Sequence, residues 1–392
     1  MKYMGSKRFM LNNGLGELIK KTVPTAKRFV DPFCGAGSVV HHVAQSFNVP
    51  VLASDLQMYG KILSGSIIER DKKLNPVSLE NKWIEEANAK IKSSTFFNEA
   101  VKLQDCKISV LRKTVQKSRK LCEKKSSIGP IWNAYGGHYF SPLQALTIDY
   151  LIKYLPKNST EKTACLAALI DAVSRTIAAP GHTAQPFQPT ETAGKFLYDA
   201  WHRDIIHVCK TTLKEISEKH AKVKGKTYVD DAIHFIKTKV KEGDLVFIDP
   251  PYSGVHYSRF YHVLETIARG TCGPVSGVGR YPDITERPQS HFSNLSQSKK
   301  ALNDLLCVLA QKKVSVIFTF PKGKCSNGLS GELVKEISRK YFDIDKSSRQ
   351  HSHDVIVGKF STLGGNNKLK NNKIKASRVK SEELLLLLKP KK

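Results

Sequence analysis

Apolar runs of strand length occur in two separated parts of the chain, and a helical periodicity fills the stretch between them. Arg28-Phe29-Val30 and Val51-Leu52-Ala53 read as buried parallel strands with a helix between them. From Thr227 the strand signals return. Leu245-Val246-Phe247-Ile248, Val314-Ser315-Val316-Ile317-Phe318 and Asp354-Val355-Ile356-Val357 are short, β-branched and bounded by turns or helices. Gln297 to Gln311 and Glu332 to Tyr341 read as amphipathic helices between them. Lys61 to about Gly225 is mostly helical in pattern and holds a loop-like segment, Ala179-Pro180-Gly181-His182 through Pro189-Thr190, marked by three prolines. The pattern predicts an α/β domain split in sequence (1–60 and 226–360), with a mainly helical insertion at 61–225. After Ser361 the chain turns polar and Lys-rich around Gly364-Gly365-Asn366-Asn367, so 361–392 is expected to be a basic, flexible tail.

Charge adds a partner to this picture. Lys and Arg number 63 against 35 Asp and Glu, a formal net charge of +28 over 392 residues. An excess of that size suits a polyanion, and nucleic acid is the commonest one. The basic residues concentrate between Lys102 and Lys125, where Arg112, Lys113, Lys117, Arg119 and Lys120 fall within nine positions. No secretory signal opens the sequence, and no apolar run, the leucines from Leu384 to Leu388 included, approaches the roughly 20 residues of a membrane span. Eight cysteines without a Cys-x-x-Cys pair indicate reduced thiols and a cytoplasmic protein. His41-His42 and His351-Ser352-His353 lack matching partners, so no metal is expected.

Three segments carry candidate chemistry. In Phe29-Val30-Asp31-Pro32-Phe33-Cys34-Gly35-Ala36-Gly37-Ser38 a strand ends, glycines turn the chain and a helix begins. Without a Cβ the backbone can approach a ligand closely, and Asp31 at the strand end can accept from an ammonium group. An acidic residue with only two glycines favours S-adenosyl-L-methionine over a dinucleotide, which uses a three-glycine phosphate cradle. Asp55, ending the second strand 18 residues beyond Gly37, is placed to bond ribose hydroxyls, although a helix cap would use the same residue type. The third segment is Asp249-Pro250-Pro251-Tyr252 after the strand Leu245 to Ile248. The prolines fix φ and give up their N–H groups, so the loop is rigid and presents carbonyls. Asp249 and the Pro250 carbonyl can accept the two hydrogens of an exocyclic amine, leaving its lone pair free, and Tyr252 can stack on the base. A duplex hides such an amine, so the target base must be flipped out.

Together these residues resemble the adenine-N6 DNA methyltransferases related to the Dam methylase, the amino-group alpha class in which the glycine motif precedes Asp-Pro-Pro-Tyr. Lys2-Tyr3-Met4-Gly5-Ser6-Lys7 is similar to the family's N-terminal motif, which implies Tyr3 and Lys7 at the methionine end of the cofactor. Asp31 to Gly37 matches the cofactor loop and implies contacts from Asp31, Phe33, Gly35 and Gly37. Asp231 sits where the family keeps an acidic residue near the cofactor adenine, with Asp230 beside it as an alternative. Tyr257 to His262 resembles the loop that closes over the site. The likeness runs over the two flanking segments and not the insertion, which by analogy is the target-recognition region. It implies a Rossmann-like S-adenosylmethionine-dependent methyltransferase fold with a mixed, mostly parallel sheet flanked by helices. The implied partner is double-stranded DNA, with a cognate restriction endonuclease as the candidate protein partner and a monomer expected.

Other readings use the same residues. RNA adenine methylation suits the same loop, N4-cytosine methylation more often has Ser in place of Asp249, and a non-catalytic DNA-binding protein would need one of the two loops damaged. Arg175, His182 and Gln185 flank the Pro-rich loop and are candidates for DNA contact, Gln being a natural reader of adenine.

Overall fold

The computed structural model describes residues 7–123, 128–345, 356–363, 369–370, 373–374 and 378–391. Its centre is a sheet built from β1 (Arg28–Asp31), β2 (Val51–Asp55), β3 (Lys226–Val229), β4 (Asp244–Ile248), β5 (Ser315–Pro321), β6 (Phe342–Ile344), β7 (Ile356–Leu363) and β8 (Arg378–Pro390). The strand order is β3-β2-β1-β4-β5-β8-β6, with β7 paired to β8. The first five strands are mutually parallel, and β8 runs antiparallel to β5, β6 and β7.

Alternation along the strands assigns side chains to two faces. Phe29, Val51, Leu245, Phe247, Ile317 and Leu385 share one core with α1 (Ser38–Ser46). Val30, Val246, Ile248, Val316, Phe318, Leu384 and Leu386 share the other with helices Ala232–Lys239, Ser298–Gln311 and Gly331–Tyr341. At the amino end of the central pair, Arg28 Nη2 lies 2.7 Å from Asp244 Oδ2 and locks β1 to β4.

Two expected boundaries change. The proposed insertion was to begin at Lys61, but that residue lies inside α2 (Met58–Ile68), an unbroken helix that contacts β2 and β3. The insertion packs onto α2 and α3 (Tyr257–Arg269) through one continuous apolar cluster that includes Trp83, Trp132, Tyr135, Tyr139 and Leu169. The flexible tail is the second correction. Residues 378–390 form β8, and Leu384 to Leu386 and Leu388 are buried inside the sheet. The apolar run within a Lys-rich composition was the strand signal, outweighed by the polar residues around it. Gly364 to Lys368 lie outside the described residues, as do Asp354 and Val355 of the expected fifth strand and His351 and His353.

Among the described residues no helix is long and apolar enough to cross a membrane. All eight cysteines are free thiols. His41 is buried against the backbone, its Nε2 3.1 Å from the Leu63 carbonyl.

Candidate active site

Three neighbouring parallel strands, β2, β1 and β4, each deliver an aspartate at the carboxyl edge of the sheet: Asp55, Asp31 and, one residue past the strand, Asp249. This edge, where the strand order reverses around β1, is where open α/β sheets bind ligands. The three aspartates line a single cleft, open to solvent, with Lys7, Phe33, Gly35, Asp230, Asp231, Pro250, Pro251 and Tyr252. Of the expected site residues, Tyr3 lies outside the described residues and Gly37 stands behind the cleft.

The glycine loop is held by carboxylates. Phe33 N–H donates to Asp31 Oδ1 at 2.9 Å, Gly35 N–H to Asp55 Oδ2 at 3.0 Å and Gln57 N–H to Asp55 Oδ1 at 2.9 Å. Burial pushes the Asp31 carboxyl well above the usual range and raises Asp55 to about 6, since the backbone donors offset only part of the desolvation. Gly37 has φ +81°, and a Cβ there would come within 2.8 Å of the His41 ring, so this glycine serves the turn and the packing of α1. Gly60, which the sequence did not single out, allows a second close approach: a Cβ would meet the Asp55 side chain at 2.9 Å. Asp231 caps the following helix, accepting from Ile233 N–H at 2.9 Å, while Asp230 lies 2.8 Å from His234 Nδ1.

The Asp249 loop is fixed from below. Lys7 Nζ lies 2.9 Å from Asp249 Oδ1, and Thr319 Oγ1 donates to the same oxygen at 2.8 Å. Oδ2 carries no partner among the described residues. Lys7 also donates to Glu383 Oε2 at 3.0 Å. Lys7, expected at the methionine end of the cofactor, lines the cleft as a buried cation shared between two carboxylates. Burial raises the Asp249 carboxyl, Lys7 pulls it down and Glu383 pushes it up. Asn327 Nδ2 donates to the Pro251 carbonyl at 3.0 Å, so of the two proline carbonyls it is that of Pro250 that this contact leaves available. Tyr252 packs edge-on to Phe320 with ring centroids 6.4 Å apart.

Several participants were invisible in the sequence. Glu383 and Thr319 act through tertiary placement on β8 and β5. Phe292 meets Phe33 edge-on at 5.2 Å across the cleft. Glu265 of α3 accepts from Met58 N–H and Tyr59 N–H, each at 3.0 Å, and so caps α2 from another helix beside the site. No local motif marks such a long-range cap. Of the candidates for base contact, Arg175 is paired with Asp171 at 2.7 Å, and His182 packs on Phe260 at 5.2 Å. Gln185 is exposed.

Electrostatically the floor of the cleft is acidic, with Asp31, Asp55 and Asp249 lining it beside the ammonium of Lys7, which Glu383 holds from behind. Such a floor favours a cationic ligand and disfavours an anionic dinucleotide.

Comparison with known proteins agrees with this geometry. A family model described as "D12 class N6 adenine-specific DNA methyltransferase" matches residues 3–165 and 192–298. The match takes in most of the proposed insertion, which was expected to fall outside the likeness. The chain is 28% identical over 329 residues to the Type II methyltransferase M.FokI of Planomicrobium okeanokoites, covering 80% of this chain and 43% of that protein. It is 23% identical to the modification methylase StsI of Streptococcus sanguinis, covering 78% of this chain and 42% of that protein. The modification methylase LlaI of Lactococcus lactis subsp. lactis is 22% identical, over 78% of this chain and 44% of that protein. The chain thus spans less than half the length of these curated relatives.

Proposed function

We propose a reaction from the premise that this chain belongs to the D12 class N6 adenine-specific DNA methyltransferase family: it is a site-specific, S-adenosylmethionine-dependent methyltransferase acting on the exocyclic amine of adenine in double-stranded DNA. The observation that carries the reading is the shared cleft, in which Asp249-Pro250-Pro251-Tyr252 faces the Asp31 to Gly35 loop and Asp55.

The residues present fit the methyl donor. Its sulfonium and ammonium charges match the carboxylate-rich floor, the backbone at Gly35 carries no side chain in the way, and Phe33 and Phe292 offer apolar walls. Asp31 is assigned to the methionine ammonium, Asp55 to the ribose hydroxyls and Asp231, with Asp230, to the adenine end. When bound, the donor supplies an electrophilic methyl group.

The chain's own groups act on the amine. Asp249 Oδ2 accepts one amino hydrogen and the Pro250 carbonyl the other, which orients the nitrogen lone pair out of the plane of the base. Lys7 and Thr319 hold the opposite oxygen of Asp249 and favour its ionised form against the effect of burial. Tyr252 stacks on the extruded base. An N-methylated aminopurine cation is strongly acidic, so its proton leaves without a base of raised pKa. We further assign residues 61–225 to target recognition and infer a role as the modification enzyme of a restriction system or as a solitary methylase, in line with two relatives known as modification methylases.

Base-resolved mass spectrometry of plasmid DNA incubated with the protein and S-adenosylmethionine tests the reading. N6-methyladenine should appear with the wild type and be absent with Asp249→Ala. Methylated RNA in place of DNA, or methylated cytosine, would overturn the assigned acceptor.

A further inference from the structure

Most structurally placed arginines described above spend their guanidinium on an acceptor. Arg28 pairs with Asp244, Arg175 with Asp171 and Arg269 with Glu265, and Arg119 bonds the Gly137 carbonyl and Gln188. Arg259 and Arg287 do not. Both stand over one ring, that of Tyr281, at 4.7 and 5.7 Å from its centroid. Neither guanidinium has an ion pair or a hydrogen bond among the described residues. Arg287 Nε is in addition shut off from solvent without a partner.

The ring that gathers them is anchored. Tyr281 O–H donates to the Ala184 carbonyl at 2.5 Å, and His262 packs against its face at 5.1 Å. His262 is itself buried with Nε2 3.0 Å from the Gly279 carbonyl. Two like charges on one aromatic ring repel, so the arrangement lacks the anion that would offset them. The neighbouring carboxylates form no ion pair with either guanidinium: Arg287 helps hold the Asp283 carboxyl low from a distance, and Glu265, which shares a small pocket with Arg287, is paired with Arg269. Asp283 is exposed and already accepts from Thr285, and Glu286 accepts from Gly273 N–H at 3.1 Å.

The position of the pair identifies the anion. Arg259 directly follows His256, Tyr257 and Ser258, and Arg287 directly precedes Pro288 and Ser290; all five of these neighbours line the catalytic cleft. Ser290 N–H donates to His256 Nδ1 at 3.2 Å and ties the two runs together. Arg287 lines a small pocket that adjoins the cleft through Gln57, Ser258 and Pro288, so the pair on Tyr281 stands next to the cleft and outside its acidic floor. A nucleotide whose base reaches Asp249 must leave its sugar and phosphates outside that floor.

We propose that Arg259 and Arg287, gathered on Tyr281, form a clamp for the backbone phosphates flanking the extruded adenosine. The clamp rests on the methyltransferase reading for the identity of the nucleotide. Arginine suits the role because its planar fork donates to two phosphate oxygens at once while its face remains on the ring. The contact is independent of sequence, so it would hold any target strand in register without reading it.

The test measures binding of a fluorescent duplex, cut from a plasmid region in which methylation maps, across a series of salt concentrations. Wild type, Arg259→Gln, Arg287→Gln and the double variant are compared, with Arg259→Lys and Arg287→Lys as charge-keeping controls. Each Gln variant should lower the slope of log affinity against log salt by about 0.9, the double by about 1.8, and the Lys variants by much less. Cofactor affinity by calorimetry and the melting temperature should stay at wild-type values. A duplex with neutral methylphosphonates beside the target adenine should reduce the wild-type slope and leave that of the double variant unchanged. A double variant with the wild-type slope would overturn the clamp. So would a loss of cofactor affinity with the slope intact, which would give the pair to the methionine carboxylate. Absence of N6-methyladenine from wild-type reactions would instead sink the methyltransferase reading, and the slopes on an arbitrary duplex would still show whether the two arginines hold phosphate.

Discussion

Lys7 donates to Glu383 at 3.0 Å across 376 positions of sequence, and the same ammonium lies 2.9 Å from Asp249. The carboxylate expected to orient the amine is thus tuned by two residues with opposite effects. Lys7 lowers its affinity for a proton and Glu383 raises it.

The acid limb of the pH–rate profile should follow these signs. Asp249 must be ionised to accept an amino hydrogen, so activity rises as pH climbs through its pKa. Lys7→Met removes the stabilising cation and should move the limb to higher pH. Glu383→Gln removes a like charge and should move it to lower pH. Both are read from kcat/KM against pH; shifts in the same direction would disprove the triad.

Asp249→Ala should reduce methyl transfer by at least about 10²–10³-fold, the scale seen when one oriented hydrogen-bonding group is removed from a reacting centre. Cofactor affinity, measured by calorimetry, should stay within a few-fold of wild type, because Asp31 and Asp55 are untouched.

With Asp55 in the proposed contact to the ribose, cofactor binding should depend on pH. Its carboxyl is raised to about 6 by burial, so below that value it is protonated and a poorer acceptor for ribose hydroxyls. Cofactor affinity should rise as pH increases through about 6 and level off above it. The protonated form is also the one that folding favours between about 3.8 and 6, so this group alone makes stability fall as pH rises across that window. Asp55→Asn should flatten the affinity profile and weaken binding at pH 7.5.

Leu386→Ala should cost about 2–5 kcal/mol of stability in denaturant titration, because Leu386 is fully buried between β5 and the helical layer. Truncation after Ser361 should yield no folded enzyme. A salt-dependence experiment on such a truncation would therefore report on unfolded chain and say nothing about phosphate contact.

The parallel half of the sheet was legible in the sequence, because β1, β2, β4 and β5 are apolar runs bounded by turns and their terminal aspartates follow directly. The same runs place Asp31, Asp55 and Asp249 together at one edge of the sheet. The pairing of Lys7 with Asp249 was not legible, since sequence spacing carries no information about a contact 242 positions away. β8 was misread because charge counts over a window of 30 residues hide a strand of five leucines. Glu265, Thr319 and the Tyr281 ring escaped notice because each acts on a residue from a different element.

The place of β8 also bears on how the chain folds as it is made. Until Glu383 has left the ribosome, β5 and β6 each lack their shared neighbour and Lys7 has only one of its two acceptors. The edges left open are the kind that pair with other chains. A nascent chain with all of its cofactor loops already translated would thus remain inactive and prone to association, and catalytic competence would come with the closing of the sheet.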